Sequence, residues 1–555
     1  MRKLVLLFAF SLSFLACKTS ETTSTTGSKA AEKDQPEQID TLTPLELKVL
    51  DSKYITREDV FAGLEQQVLD FSTNSSNGTR TVELLNKLVL EKSIPEIQKA
   101  IYDGKFTYEE LSLYYLNRIY KYDRNNDLSL NSVIALNPKV LEQAREADAR
   151  LEKMKENGET LDPYSIVGMP ILLKDNINTA DIPTTAGAAV LIDNQTDDAQ
   201  LVKNLKDAGA IILGKANLSE WAYFFCGDCP SGYSAVGGQT LSPYKRKYFD
   251  TGGSSSGSGV SVAANFAVAA VGSETSGSIL SPASQNSVVG LKPTVGTISG
   301  QGVVPISSYL DTAGPMAKNV VDTAILLNAM RGADSDVLEK ELIPKLKSYS
   351  LEGKRFGVFK NFLETPLYAA AIQDIKNQGA VIVELEPKEV RLNGFLKLLN
   401  ADMKLDLPQY FKTAGNSKYS SWDVYQVMQE NLKDSLRAMP YGQRLFQGIM
   451  DEPEMTDVEF AAFKAEMTQT AQEYLNGYFE RYELDGILSI NNYTAGVAAV
   501  GFFPAMTVPM GYDKDGKPYG LTFIAPSGKD RELLGWGAGY ERVSKKRQMP
   551  TDYQK

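Results

Sequence analysis

Apolar residues along this chain follow two rhythms, short unbroken runs and stretches in which they recur every three or four positions. Ile166 to Leu173 is an apolar run interrupted by Pro170, which a strand accepts at its first residues or at an edge. Ala210 to Leu213 is a second run, and Asp198 to Ala208 between them carries the helical spacing. A strand–helix–strand unit is expected there, with Lys174 and Lys215 at the ends of its two strands. Arg355 to Phe359 and Ala380 to Glu384 repeat the arrangement around a helix at Ala369 to Gln378, and Ile487 to Ile490, Met506 to Val508 and Tyr519 to Ile524 add three strands. This alternation predicts an α/β sheet.

The helical stretches have recognisable starts and faces. Thr107 and Glu110 form a capping box, after which Leu111, Tyr115 and Ile119 share one face. Glu142 to Lys155 is charged with alanines inside, the pattern of a solvated outer helix, and Val320 to Met330 reads as another helix. Asn400 to Glu480 is mostly helical. In it Thr456 and Glu459 cap a helix whose Phe460, Phe463, Met467, Tyr474 and Tyr478 line one face and read as core packing. Short helical patterns of no evident purpose occupy residues 44–80, and no internal repeat is present.

The N-terminus breaks both rhythms. Arg2 and Lys3 precede an apolar run from Leu4 to Leu15, too short for the roughly 20 residues that cross a bilayer. Residues 1–16 read as a secretory signal peptide. Ala16-Cys17 resembles the end of a bacterial lipobox, with Phe14-Leu15 an imperfect fit before it, and Cys17 is the candidate lipidation site. An ordinary signal with a chance cysteine is the alternative. Residues 17–43 are polar and rich in Ser and Thr, with nothing to bury, and suit a disordered tether spanning roughly 25–30 Å. An exported protein, lipid-anchored on the periplasmic or cell-surface side of a bacterial membrane, is expected.

Composition changes the picture chiefly through an absence: the chain has no histidine. That removes Ser-His-Asp triads, His-ligated zinc and a histidine general base together. A hydrolase without histidine must activate its nucleophile otherwise, and Ser-Lys chemistry is the main remaining route. The net charge of −11, with no basic cluster, argues against a nucleic-acid partner. Cys17, Cys226 and Cys229 are the only cysteines, too few for a disulfide framework. Cys226 and Cys229 have no second pair with which to hold a metal, so a local disulfide and two free thiols both remain open.

The chemistry concentrates between Gly252 and Thr294. A Gly/Ser loop leads into a small-residue helix, an apolar strand and a second Gly/Ser turn, with Ser254 in the first turn and Ser278 in the second. Such turns let amides and hydroxyls converge, although one alone is often just a tight turn in an Ala-rich core. A phosphate loop fits less well, because no Gly-Lys-Ser/Thr follows and Val262 stands where a dinucleotide fingerprint needs its third glycine. GGSSSGSG, ETSGSI and GLKPT in that order resemble the signature of the amidase signature family. GMPILLKDNI, GKANLSEWA, GGQTLSPY, LDTAGPMA and FPAMTVPMGY extend the resemblance across most of residues 82–545. Many members carry Asp where this chain has Ser276.

The resemblance implies a single large α/β domain, a mixed twisted sheet surrounded by helices, over residues 82–545. A helical extension at 44–81 would precede it and a short tail at 546–555 follow. It implies Ser278 as nucleophile, Ser254 after a cis peptide as proton relay, and Lys174 as terminal base. It also suggests the backbone N–H groups of Thr275, Ser276, Gly277 and Ser278 as candidates for the oxyanion hole. On this reading the protein hydrolyses small or peptide carboxamides through an acyl-enzyme, most like bacterial peptide amidases. It needs no cofactor or metal and meets the membrane only through its anchor. Two rivals remain: the glutaminase subunit of a tRNA-dependent amidotransferase, and a non-catalytic surface binding lipoprotein that kept the fold.

Overall fold

A computed structural model describes residues 42–73, 82–332 and 341–554. The expected signal peptide, Cys17 and the tether as far as residue 41 lie outside the described residues. From Pro44 onward the chain forms one compact unit. Among the described residues no helix is long and apolar enough to cross a membrane.

The unit is built on an eleven-stranded sheet. Its first strands are β1 (Val133–Leu136), β2 (Pro170–Lys174) and β3 (Ile211–Ala216). A separate hairpin, β4 (Tyr233–Ser234) with β5 (Gly238–Gln239), precedes β6 (Ala269–Glu274), β7 (Val289–Lys292) and β8 (Thr312–Ala317). The sheet is completed by β9 (Arg355–Phe359), β10 (Val381–Leu385), β11 (Gly486–Ile490), β12 (Ala505–Tyr512) and β13 (Pro518–Ile524). Across the sheet they lie in the order β1-β3-β2-β6-β8-β7-β12-β13-β11-β9-β10. β3, β2 and β6 are mutually parallel, as are β11, β9 and β10, and the remaining pairs are antiparallel. This is the expected mixed sheet with its helical cover.

Three strands escape the apolar-run reading. β1, β7 and β8 are short and nearly all buried; β1 is a run of only four residues, and Gly290 in β7 and Gly314 and Pro315 in β8 break the runs that would mark them. β2 begins at Pro170 rather than Ile166, because Met169 N–H turns back to the carbonyl of Ile166 at 3.0 Å. β3 runs on to Ala216, so Lys215 stands inside the strand and not beyond it.

The helix Ser256–Ala263 packs on the sheet with every residue buried. Its small residues allow the approach: a Cβ on Gly257 would lie 2.4 Å from the carbonyl oxygens of Asn217 and Ser132. The N-terminal segment also has its place. Thr56 and Asp59 form a capping box, and Val60, Phe61, Leu64, Val68 and Phe71 pack into the main core. On the other side, helices between Phe395 and Tyr482 close a second apolar core around Trp221, Phe225, Phe446 and Met467.

Candidate active site

The C-terminal ends of β2 and β6 carry the chemistry. The two strands are parallel with Leu173 beside Val271, which sets Lys174 against the last residues of β6. Lys174 is fully buried. Its Nζ donates to Ser254 Oγ at 2.7 Å, to Ser273 Oγ at 2.9 Å and to the Ser273 carbonyl at 3.0 Å. Burial pulls this ammonium from 10.5 down to about 7, against the opposing pull of the Asp311 and Glu274 carboxylates. A neutral amine there keeps its two contacts to Ser273 and turns its lone pair on Ser254. The Ser254 hydroxyl has no partner but Lys174 among the described residues, so its proton has the lysine to go to.

Ser254 enters this contact from the Gly/Ser loop. The Gly253–Ser254 peptide is cis, and the Ser254 carbonyl accepts from Ser219 N–H at 3.0 Å. Gly252 has φ +65°, and a Cβ there would fall 2.6 Å from the backbone nitrogen of Pro282, so the loop requires glycine. The Ser278 turn is drawn onto the same loop by Ser255 N–H, which donates to the Ser278 carbonyl at 3.1 Å. Ser278 is half-buried, and its hydroxyl makes no hydrogen bond among the described residues. The structure therefore makes the Lys174–Ser254 link and leaves the Ser278–Ser254 link unmade.

None of the four amides from Thr275 to Ser278 donates to a protein acceptor among the described residues. The next two are taken: Ile279 and Leu280 N–H donate to Glu274 Oε2 at 2.7 and 3.0 Å. Gly277 sits at φ +84°, where a Cβ would lie 3.1 Å from the Asn492 carboxamide. The turn thus offers unpartnered donors next to a part-exposed serine, the arrangement that stabilises a developing oxyanion. Asp311 flanks it, accepting from Thr275 Oγ1 at 2.5 Å. Neither Glu274 nor Asp311 stood out from the sequence. The available signal was an acidic residue closing an otherwise small-residue strand, and the Asp of LDTAGPMA.

Two other sequence features resolve away from this cluster. Lys215 is buried in an ion pair with Asp175 at 3.2 Å. Cys226 and Cys229 are joined as a disulfide, their Cα atoms 5.9 Å apart, in a loop that Asp228 ties to Arg444 at 3.0 Å. Two surface clefts, of 480 and 450 Å³, lie elsewhere: Phe71 and Arg145 line one, Tyr512 and Lys546 the other, and neither includes Lys174, Ser254 or Ser278. The chemistry, not cavity size, locates the site.

Comparison with known proteins gives the family. The family model described as Amidase matches residues 110–489. The chain is 34% identical to an Arabidopsis thaliana protein named "Probable amidase", over 87% of this chain and 96% of that one. It is similar to the crystal structure of an amidase family protein from Bacillus anthracis, with a TM-score of 0.80 and 35% identity over 90% of this chain and all of that one. Native peptide amidase from Stenotrophomonas maltophilia aligns with a TM-score of 0.74 and 34% identity, over 83% of this chain and 98% of that one.

Proposed function

The chain belongs to the amidase family, and from that membership we propose that it is a serine amidohydrolase that cleaves carboxamide C–N bonds, and from its N-terminal residues that it is exported. Ser278 attacks the amide carbon, its proton passes through Ser254 to Lys174, and the amides of Thr275 to Ser278 receive the oxyanion. Lys174 then returns the proton to the leaving nitrogen, ammonia departs, and water releases the carboxylate from the Ser278 ester. The observation that carries this reading is the Lys174–Ser254 contact at 2.7 Å in a chain without histidine. A buried lysine with a pKa near 7 is neutral for about half the time at neutral pH, which a general base requires. C-terminal peptide carboxamides are the first substrates to examine, since a peptide amidase is among the similar structures.

Ammonia release from peptide amides, aliphatic amides, aryl amides and glutamine tests the activity. Labelling by a serine-directed fluorophosphonate, followed by peptide mapping, tests the nucleophile. Label on Ser278, lost in Ser278→Ala, is expected; label on another serine overturns the assignment. Activity on glutamine alone would move the reading to the glutaminase subunit, and no activity on any amide would leave the binding-protein rival.

The N-terminal residues support a lipid anchor at Cys17 after signal cleavage, with residues 18–43 as tether. Cys17→Ser should leave the protein unprocessed or soluble. Membrane fractionation of that variant like the wild type, with the signal cleaved elsewhere, would exclude the anchor.

A further inference from the structure

The registers around β6 place two opposite charges on its two flanks. Lys174 lies at the end of β2 on one side. On the other, β6 pairs antiparallel with β8 through Glu274 and Thr312, which makes Thr275 and Asp311 the next cross-strand pair beyond the ladder. That pair is closed by the 2.5 Å hydrogen bond from Thr275 Oγ1 to Asp311 Oδ1. Asp311 Oδ2 accepts from Ile306 and Ser307 N–H at 2.9 and 3.1 Å, so both carboxylate oxygens are engaged and the side chain cannot turn away.

On the reading of Lys174 as base, we propose that Asp311 is the positioning residue of this site. It fixes the Thr275 end of the amide-donor turn and supplies counter-charge to Lys174 when that lysine takes up the proton of Ser278. In that step Ser278 Oγ gains its bond to the substrate carbon and its proton moves to Ser254. The proton of Ser254 moves to Lys174, and negative charge appears on the substrate oxygen. A positive charge is thereby created in a fully buried place, which costs far less with an ionised carboxylate two strands away than without one.

The surroundings single Asp311 out for this task. The charged groups that act on it are Lys174 from β2 and Asp406 from the helix Phe395–Thr413; Glu274 from β6 acts on Lys174, while Asp402 of the same helix and Lys464 from the helix Asp457–Tyr482 act on Asp406. Lys464 is held by Asp402 at 2.5 Å, while Asp406 holds the Ser308 backbone and hydroxyl. The partners of Lys174 are hydroxyl and carbonyl oxygens only. Of the two carboxylates acting on Lys174, that of Asp311 acts more strongly than that of Glu274. Burial pushes Asp311 up to about 7, opposed by its hydrogen bonds from Thr275, Ile306 and Ser307. Asp311 therefore titrates in the same range as Lys174, and weakening those bonds raises its pKa further.

The test is the rising limb of kcat/KM against pH, read on a cleaved primary amide, together with the pH dependence of fluorophosphonate labelling at Ser278. Asp311→Asn removes the counter-charge, so the Lys174 ammonium loses stabilisation and the limb should move to lower pH by about one unit. Thr275→Val keeps the carboxylate but removes its hydroxyl donor, raising the Asp311 pKa. Its limb should move the same way by less, and it serves alone if Asp311→Asn does not fold. Asp311→Glu, which keeps the charge, should bring the limb back toward the wild-type position. A merely structural role lowers the rate at every pH with the limb in place, and that result in the folded variants overturns the proposal. Lys174→Met separates this failure from failure of the base assignment. If its residual labelling keeps the wild-type limb, the limb is not the lysine's and both readings fall.

Discussion

Lys174 closes β2 and Lys215 is the last residue but one of the neighbouring parallel strand β3, one step apart in register, and both side chains are fully buried. Because Lys215 stands beside Leu173 rather than Lys174, the two project to opposite faces of the sheet. Asp175 follows Lys174 and shares the face of Lys215, and the two pair at 3.2 Å. Lys215 Nζ donates as well to the Ile177 carbonyl at 2.6 Å and to Thr184 Oγ1 at 2.9 Å. Burial lowers the pKa of Lys215 and raises that of Asp175, each opposed by the charge of the other. Lys174 has hydroxyls where Lys215 has a carboxylate. Burial alone does not make a lysine a base; what decides whether it discharges is the neighbour on its own face of the sheet, a carboxylate for Lys215 and hydroxyls for Lys174.

The hardest blow to this comparison is Lys174→Met. Turnover should fall by about 10²–10⁴-fold, the usual contribution of a general base, while the fold survives, because Met fills the space without a charge to bury. Steady-state ammonia release with circular dichroism checks both halves. Turnover within tenfold of wild type would remove the distinction between the two lysines.

Lys215→Met should do the converse. It strands Asp175 in a buried site and should destabilise the protein by about 3–5 kcal/mol, read from urea or thermal unfolding. The fraction that remains folded should turn over substrate nearly as wild type does. Adding Asp175→Leu should recover much of the lost stability, since replacing a whole buried pair by apolar residues is often neutral. A Lys215→Met protein as stable as wild type would show that the ion pair does not hold this face of the sheet.

The sequence placed these two lysines at similar strand ends and could rank them only through the motif around Lys174. Nothing in the runs ILLK and ILGK foretells which face each side chain takes, since that depends on register with a strand some forty residues away. The tight turns that carry Ser254 and Ser278 were legible for the opposite reason, though only the resemblance of their motifs assigned the two serines a role. Their glycines at 252 and 277 are dictated locally, by φ values that other residues resist. Asp311 was illegible because its role comes from being cross-strand to Thr275, and β8 was hidden by Gly314 and Pro315. The stripe from Phe460 to Tyr478 was legible as core, with Phe460, Met467 and Tyr478 buried, because helical periodicity is a local property.

A graded difference between the lysines should appear in the pH dependence of stability. The folded-state pKa of Lys174 is depressed to about 7 from 10.5, so between these values the unfolded chain binds the extra proton and stability rises with pH. The burden on the fold is fully present at and below pH 7, is of the order of 5 kcal/mol there as an upper bound, and disappears as pH approaches 10.5. Lys174→Met should therefore be more stable than wild type at pH 7, by an amount that shrinks steadily on going to pH 10. Unfolding free energies of the two proteins at several pH values decide it, and a constant difference would mean that Lys174 is not depressed in the folded state.

The smallest effect belongs to the disulfide, which should touch neither lysine. Cys226 and Cys229 are three positions apart, so their bridge closes a very short loop, worth about 2 kcal/mol at most by chain entropy. Other contacts hold that loop: Tyr223 Oη donates to the Cys229 carbonyl at 2.9 Å, Leu445 N–H donates to the Phe225 carbonyl at 2.9 Å, and Asp228 pairs with Arg444. Replacing both cysteines with Ser should thus lower the melting temperature by a few degrees. Turnover, the position of the rising pH limb and the rate of labelling at Ser278 should stay within about twofold of wild type, the scale of a surface change remote from the chemistry. A displaced limb with the fold intact would place the Cys226–Cys229 loop in contact with the Lys174 side of the sheet, and the contrast between the two lysines would then owe part of its origin to that loop.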